Sequence, residues 1–264
     1  MFTVKEFIQP NDIEEAYEIL LSRKDNAVIG GGAFLRLSSK KIGMAVDLSK
    51  LELSYIKDQD GYIEIGAYTN FRDIETSPLL IDNFNGVVSN SVKNIIGVQF
   101  RNIVTVGASV FSKYGFSDLI TALLALDTEV ELYKAGRMSL DKFLKNPYEK
   151  DIITRVFIKK NQRKASYQHL RNSVSDYSVL NVAVSNLDNQ WIIAVGARPQ
   201  KATIARNASE ELSSSSAIGC LDHYANIAAE ELSFGTNERG TAIYREAMSR
   251  VLVKRAIMEV LQCK

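Results

Sequence analysis

Two glycine-bearing segments stand ~75 residues apart, a separation that requires two stretches of fold to be brought together. The first, Gly30-Gly31-Gly32-Ala33-Phe34-Leu35, follows the apolar run Ala27-Val28-Ile29; the second, Thr105-Val106-Gly107-Ala108-Ser109, is entered through Gln99-Phe100-Arg101-Asn102. Gly and small residues leave backbone N–H groups bare and approachable, which is what a phosphate needs. A diphosphate gripped from two sides needs two such turns, so the pattern points to a dinucleotide site. Each segment by itself is equally compatible with a plain turn. The Rossmann motif G-x-G-x-x-G and the P-loop are both absent.

Around the first segment the order is strand (about Thr3–Phe7), helix (about Asp12–Ser22, with Asn11 as cap and Glu14 at the capping-box position), strand (Ala27–Ile29), glycine turn, short helix, strand (Met44–Leu48). That alternation predicts a small α/β unit with a parallel core. From Ser54 the texture turns β-rich. Asp60-Gly61 predicts a hairpin turn before Tyr62–Ile65. A helix is expected over about Leu79–Asn94, and another, capped by Ser117, over Leu119–Leu126. Strands are expected at Thr128–Tyr133 and Ile152–Ile158, with a turn at Gly136 and a short helix from Ser139.

The polar run Lys159–Lys164 marks the expected domain boundary, giving an N-terminal domain 1–162 (subparts about 1–53 and 54–162) and a C-terminal domain 163–264. Beyond it, Val179–Val184 and Trp191–Ala197 flank Asp188-Asn189 as a hairpin. Ser213–Ser216 is expected to be loop. The last helix, from about Thr241, is expected to turn Tyr244, Ala247, Met248 and Val251 to one face.

Composition narrows the function classes. A net charge of +1 over 264 residues leaves no electrostatic footprint for nucleic acid or an anionic membrane. No apolar stretch nears the ~18 residues that span a bilayer, and the start Met1-Phe2-Thr3-Val4-Lys5 has no leader-like pattern, so a cytoplasmic location is expected. Cys220 and Cys263 lack a CxxC partner and only His169 and His223 accompany them, so neither an iron–sulfur cluster nor another metal site is expected. No nucleophile–base set is present either, and no residue is expected to be catalytic. Chemistry is therefore expected to reside on a bound cofactor.

The ordered set of motifs resembles the FAD-binding subunit of the molybdenum hydroxylases, the xanthine dehydrogenase and carbon monoxide dehydrogenase family. The correspondence runs through Gly30–Leu35, Gln99–Ser109, Ser117-Asp118-Leu119 to Leu123-Leu124-Ala125-Leu126, Tyr167-Gln168-His169-Leu170 with Asp176, and Tyr244-Arg245 to Val251-Leu252-Val253-Lys254-Arg255-Ala256. The resemblance implies an α+β chain: a two-part flavin-binding fold of the vanillyl-alcohol-oxidase-like (PCMH) type, then a C-terminal domain of small antiparallel sheet plus helices. It implies non-covalent FAD, with Val28, Ile29, Gly30, Gly31, Gly32, Ala33, Phe34 and Leu35 wrapping the diphosphate together with Thr105, Val106, Gly107, Ala108 and Ser109. Asp118 would bind the nucleotide portion, Ile153 would be an apolar neighbour, and His169 would lie near the flavin, where many relatives have lysine. Ala108-Ser109 replaces the family's Gly-Asn, and Ala33-Phe34 its Thr-Asp. The implied role is an oxidoreductase subunit that relays electrons from the iron–sulfur clusters of one partner, fed by a molybdenum-cofactor subunit, through FAD to NAD or another acceptor. A flavin-free structural subunit of such a complex and a free-standing flavin oxidase are the alternatives.

Overall fold

Strand β1 (Thr3–Ile8) leads to helix α1 (Ile13–Ser22), then β2 (Ala27–Ile29), β3 (Lys41–Asp47), β4 (Ile56–Gln59) and β5 (Tyr62–Gly66). Helices α2 (Phe71–Thr76), α3 (Pro78–Asp82), α4 (Val87–Val92), α5 (Val98–Arg101), α6 (Val106–Ser112) and α7 (Asp118–Leu124) follow. Next come β6 (Thr128–Leu132), β7 (Gly136–Ser139), α8 (Leu140–Lys145), β8 (Ile153–Lys159), β9 (Lys164–Arg171), β10 (Ser178–Leu187), β11 (Gln190–Gly196) and β12 (Thr203–Ile204). The chain closes with α9 (Arg206–Ser214), α10 (Leu221–Glu230) and α11 (Ala242–Gln262). The structure, a computed structural model, describes residues 1–215 and 219–263. They form two compact units: residues 1–73, 98–112 and 128–158 make the first, and residues 74–97, 113–127 and 159–264 the second.

In the first unit β1 and β2 both pair in parallel with β3, in the order β1-β3-β2. Helix α1 covers this sheet through Ala16 and Leu20, which pack with Val46, Leu48 and Ile152. Burying an aliphatic side chain of this size contributes about 1.5–3 kcal/mol. The cap of α1 lies one residue later than expected: the Asp12 side chain accepts from Glu15 N at 2.8 Å, and Glu15 Oε2 accepts from Asn11 N at 2.7 Å. At the other end of α1, Lys150 Nζ donates to the carbonyls of Leu20 (3.1 Å), Arg23 (2.8 Å) and Asn26 (3.3 Å), satisfying acceptors the helix cannot pair itself. The second sheet of this unit runs β4-β5-β8-β6-β7. Its first hairpin turns at Asp60 (φ +53°) and Gly61 (φ +79°), the paired left-handed geometry the Asp-Gly sequence predicts.

In the second unit an antiparallel sheet, β12-β11-β10-β9, packs on α9, α10 and α11. Its hairpin turns at Asp188 and Asn189, as read from the sequence. The helix expected over Leu79–Asn94 is broken into α3 and α4 by Phe84, Asn85 and Gly86, all with positive φ. Asn and Gly accept that conformation at little cost, and Asn85 Oδ1 also receives Ala165 N at 3.1 Å. Helix α11 turns inward a different face from the one that carries Tyr244 and Val251. Tyr244 and Val251 are exposed, while Arg245, Ser249, Leu252, Val253, Ala256, Ile257 and Val260 are buried. A buried arginine defeats an apolar template: Arg245 donates to Val179 O (2.8 Å), Gly235 O (2.7 Å) and Asn237 Oδ1 (2.5 Å). Of the serine run, Ser213 and Ser214 end α9 instead of forming loop, and Ser216 lies outside the described residues.

Candidate functional site

Parallel pairing of Val28 with Val46 and Ile29 with Asp47 delivers the chain to a bend at the carboxyl end of β2. Loops at the carboxyl ends of parallel strands are where α/β units bind ligands. Gly31 (φ +72°) and Gly32 (φ +64°) are both left-handed, a conformation that costs other residues about 1–2 kcal/mol each. Space matters as much. A Cβ on Gly30 would lie 2.4 Å from Thr105 Oγ1 and 2.5 Å from the Ala108 side chain, and one on Gly31 would lie 1.5 Å from Ile103 O. The two glycine-bearing segments therefore pack against each other, as the dinucleotide reading requires. Phe34 then meets Phe100 edge-on at 5.7 Å, and Leu35–Leu37 makes a single 3₁₀ turn.

The N–H groups of Gly31, Gly32 and Ala33 donate to no acceptor among the described residues. Successive free amides in such a bend make a concave donor set suited to a phosphate oxygen.

The second segment differs from its expectation. It is the start of helix α6, not a turn, and its amides are engaged. Val106 N donates to Thr69 O (2.9 Å), Gly107 N to Ala67 O (2.8 Å), and Ser109 N to Thr105 O (3.1 Å). Ala108 N lies 3.4 Å from Thr105 Oγ1. A Cβ on Gly107 would meet Ala67 Cβ at 2.7 Å and its carbonyl at 2.9 Å, so this glycine makes room for the protein's own chain and not for a diphosphate. The reason is docking of α6 on the end of β5, a contact no local pattern announces. Ala108 lies within α6 and its φ is not positive, so its methyl group is unstrained where the family has glycine. Ser109 is buried, and Ile153, the first residue of β8, is also buried.

In the second unit, Ser117 caps α7 by accepting from Ile120 N (3.2 Å), which sets Asp118 at the first helical position. Asp118 is only 1 % exposed. Its Oδ1 accepts from Asn181 Nδ2 (2.9 Å), the Tyr167 hydroxyl and the Ser178 hydroxyl, and Arg171 Nη2 stands 3.3 Å away. Its Oδ2 has no hydrogen-bond partner among the described residues and is closed to solvent. Burial, then the Asp118 charge, pushes the Tyr167 phenol well above its ordinary value, so it stays a donor. Asn181, Ser178 and Arg171 were not singled out from the sequence; a polar Asn inside the apolar run Val179–Val184 was the available signal. His169, on β9, is paired across the sheet with Asn181.

Comparison with known proteins follows the same outline. Residues 2–160 match the model of the FAD binding domain in molybdopterin dehydrogenase, and residues 165–260 match that of the CO dehydrogenase flavoprotein C-terminal domain. The nicotine 6-hydroxylase medium subunit of Paenarthrobacter nicotinovorans is 27% identical over 96% of each chain. An uncharacterised protein of Escherichia coli K12, YgfM, is 26% identical over 95% of this chain and 94% of its own. Among solved structures, the cyanide-inactivated copper- and molybdenum-containing CO dehydrogenase superposes with a TM-score of 0.88 at 20% identity, covering 98% of both chains.

Proposed function

Because the chain belongs to the FAD-binding subunit family of the molybdenum hydroxylases, we propose that its bend at Val28–Leu35, backed by Thr105–Ser109, holds the diphosphate of non-covalent FAD. We propose further that it works inside a hetero-oligomer with an iron–sulfur subunit and a molybdenum-cofactor subunit, passing electrons on to NAD or another acceptor. The cofactor of this oxidoreductase family is FAD.

One observation carries the assignment: the amides of Gly31, Gly32 and Ala33, which have no acceptor among the described residues, sit at paired left-handed glycines and fit a phosphate oxygen. Bound FAD supplies hydride and electron transfer, and the protein supplies binding, orientation and electrostatics. Gly30 and Gly31 let the bend close onto Ile103, Thr105 and Ala108. Phe34 and Phe100 give the bend an apolar wall. Ile153, of the same unit as the bend, belongs to the same proposed set. The division into 1–162 and 163–264 is the proposed domain boundary.

The test is titration of the purified chain with FAD, read by flavin fluorescence and visible absorbance, with ADP as competitor. Saturable binding that ADP displaces, and that Gly31→Val abolishes, is the expected result. A protein that stays colourless and leaves flavin fluorescence untouched would make it a flavin-free structural subunit instead.

A further inference from the structure

The glycine bend and the segment behind it run in opposite directions and meet at three points. Gly30 lies against Thr105 and Ala108, Gly31 against the carbonyl of Ile103, and Phe34 against Phe100, with ring planes 84° apart. All of these residues belong to the first unit. The supporting segment is itself fixed. Ile103 N and Val104 N donate to Phe100 O at 3.2 and 3.1 Å, Phe71 N donates to Val104 O at 2.9 Å, and Thr105 pairs with Asn70 in an antiparallel bridge.

Gly32 and Ala33 span the gap between the last two contacts. Glycine is the most permissive backbone, so a Gly-Gly pair held in one shape gives up the most freedom. The amides of Gly31, Gly32 and Ala33 donate to no acceptor among the described residues, so they do not themselves fix that shape. Phe34 stands at the start of the 3₁₀ turn and makes no side-chain capping bond. Its side chain therefore secures the far end of the span by its ring, and an edge-on aromatic pair holds a defined geometry beyond simple burial.

We propose that Phe34 and Phe100 form a latch that holds the Gly31–Ala33 amides in one conformation before a diphosphate arrives, which makes both rings positioning residues. This rests on the FAD reading above. Phe34 acts through Phe100 and not on the ligand. A bend set in advance binds more tightly, because the ligand no longer has to order the backbone it meets.

The experiment measures nitrogen-15 relaxation of the Gly31, Gly32 and Ala33 amides in the ligand-free full chain, and the affinity of the same chain for FAD and ADP. It compares wild type with Phe34→Ala, Phe100→Ala, the double variant and Phe34→Tyr. In wild type the three amides should be as rigid as the sheets, with order parameters of about 0.85, and either alanine should bring them below about 0.6. Each alanine should weaken both ligands about three- to tenfold. The double variant should lose no more affinity than the weaker single one, because one latch is broken only once. Phe34→Tyr keeps the ring and should restore wild-type rigidity and affinity. Should an alanine variant not fold, Phe34→Leu and Phe100→Leu carry the same comparison, with the same direction and a smaller size. Mobile amides in wild type, or single losses that add in the double variant, overturn the latch. Lost affinity with unchanged order parameters also overturns it, by making Phe34 a contact of the ligand. FAD binding indifferent to both rings removes the latch and leaves the FAD reading standing. Absence of any FAD binding to wild type sinks that reading and the ligand half of this proposal together, while relaxation still decides the latch on the free chain.

Discussion

At Gly31–Ala33, consecutive N–H groups have no acceptor among the described residues and Gly31 is exposed to water, whereas Asp118, 1 % exposed, is enclosed by Tyr167, Ser178, Asn181 and Arg171. The contrast separates two jobs that a motif match runs together. Amides that face water lose little by waiting for a ligand, because water satisfies them in the free protein. A buried carboxylate has no such reserve and must be satisfied from within, so its partners hold the fold around it. The bend can bind; the Asp118 cluster positions.

The largest test of that division is Asp118→Ala. Removing the carboxylate leaves the Arg171 guanidinium, whose side chain is 3 % exposed, without its counter-charge. Breaking such a pair costs about 3–5 kcal/mol, so the urea midpoint should fall steeply. A stability change below about 1 kcal/mol, with FAD affinity lost, would turn Asp118 into a ligand and erase the contrast.

Next comes Gly107→Val. Its new methyl groups would press on Ala67, and overpacking of this kind costs about 1–3 kcal/mol. The expected outcome is reduced stability, with the folded fraction still able to bind FAD. Unchanged stability with lost binding would move the ligand to α6.

Gly32→Ala isolates the bend more cleanly, since a Cβ there meets only Ile29 Cγ2 at 3.7 Å. The left-handed φ alone should cost about 1–2 kcal/mol, roughly tenfold in FAD affinity, if the bend must keep its shape to bind. Equal affinity in mutant and wild type would show that the amides need not hold this conformation.

The smallest effect concerns Asp47, at the end of β3. Burial raises its carboxyl pKa, but hydrogen bonds from Tyr68, Gln9 and Ser49 outweigh that and leave it below the ordinary carboxylate value. A depressed folded-state pKa stabilises above the unfolded value of about 3.9, and that contribution is lost as pH falls through the folded value. Acid denaturation of Asp47→Asn should therefore show a shallower loss of stability below about pH 4 than wild type. Parallel curves would mean that Asp47 contributes nothing through its charge.

What could be read from the sequence is what short range decides. The Asp60-Gly61 and Asp188-Asn189 turns, and the caps at Ser117 and Ser139, follow from backbone preferences and side chains acting within three residues. The glycine bend after β2 and its convergence with Thr105–Ser109 were legible because bare backbone is useful only where something approaches it. Strand β9 was missed because its burial does not alternate and its residues include Lys164, Gln168 and His169. The buried face of α11 was not legible, because Arg245 on it reaches carbonyls on Val179 and Gly235, which no helical template contains.

Local chemistry thus determined the turns, the caps, the parallel unit and the presence of a small-residue bend fit for phosphate. Only the tertiary structure decided which amides remain to bind it: those of Val106 and Gly107 are consumed by Thr69 and Ala67 of another segment, while those of Gly31–Ala33 find no acceptor among the described residues. It also decided that Asp118 is walled in and that His169 is held by Asn94. The physical reason is common to both. Whether a polar group is available depends on partners far away in the chain, and sequence reports a group's capacity to bond, not whether that capacity has been used.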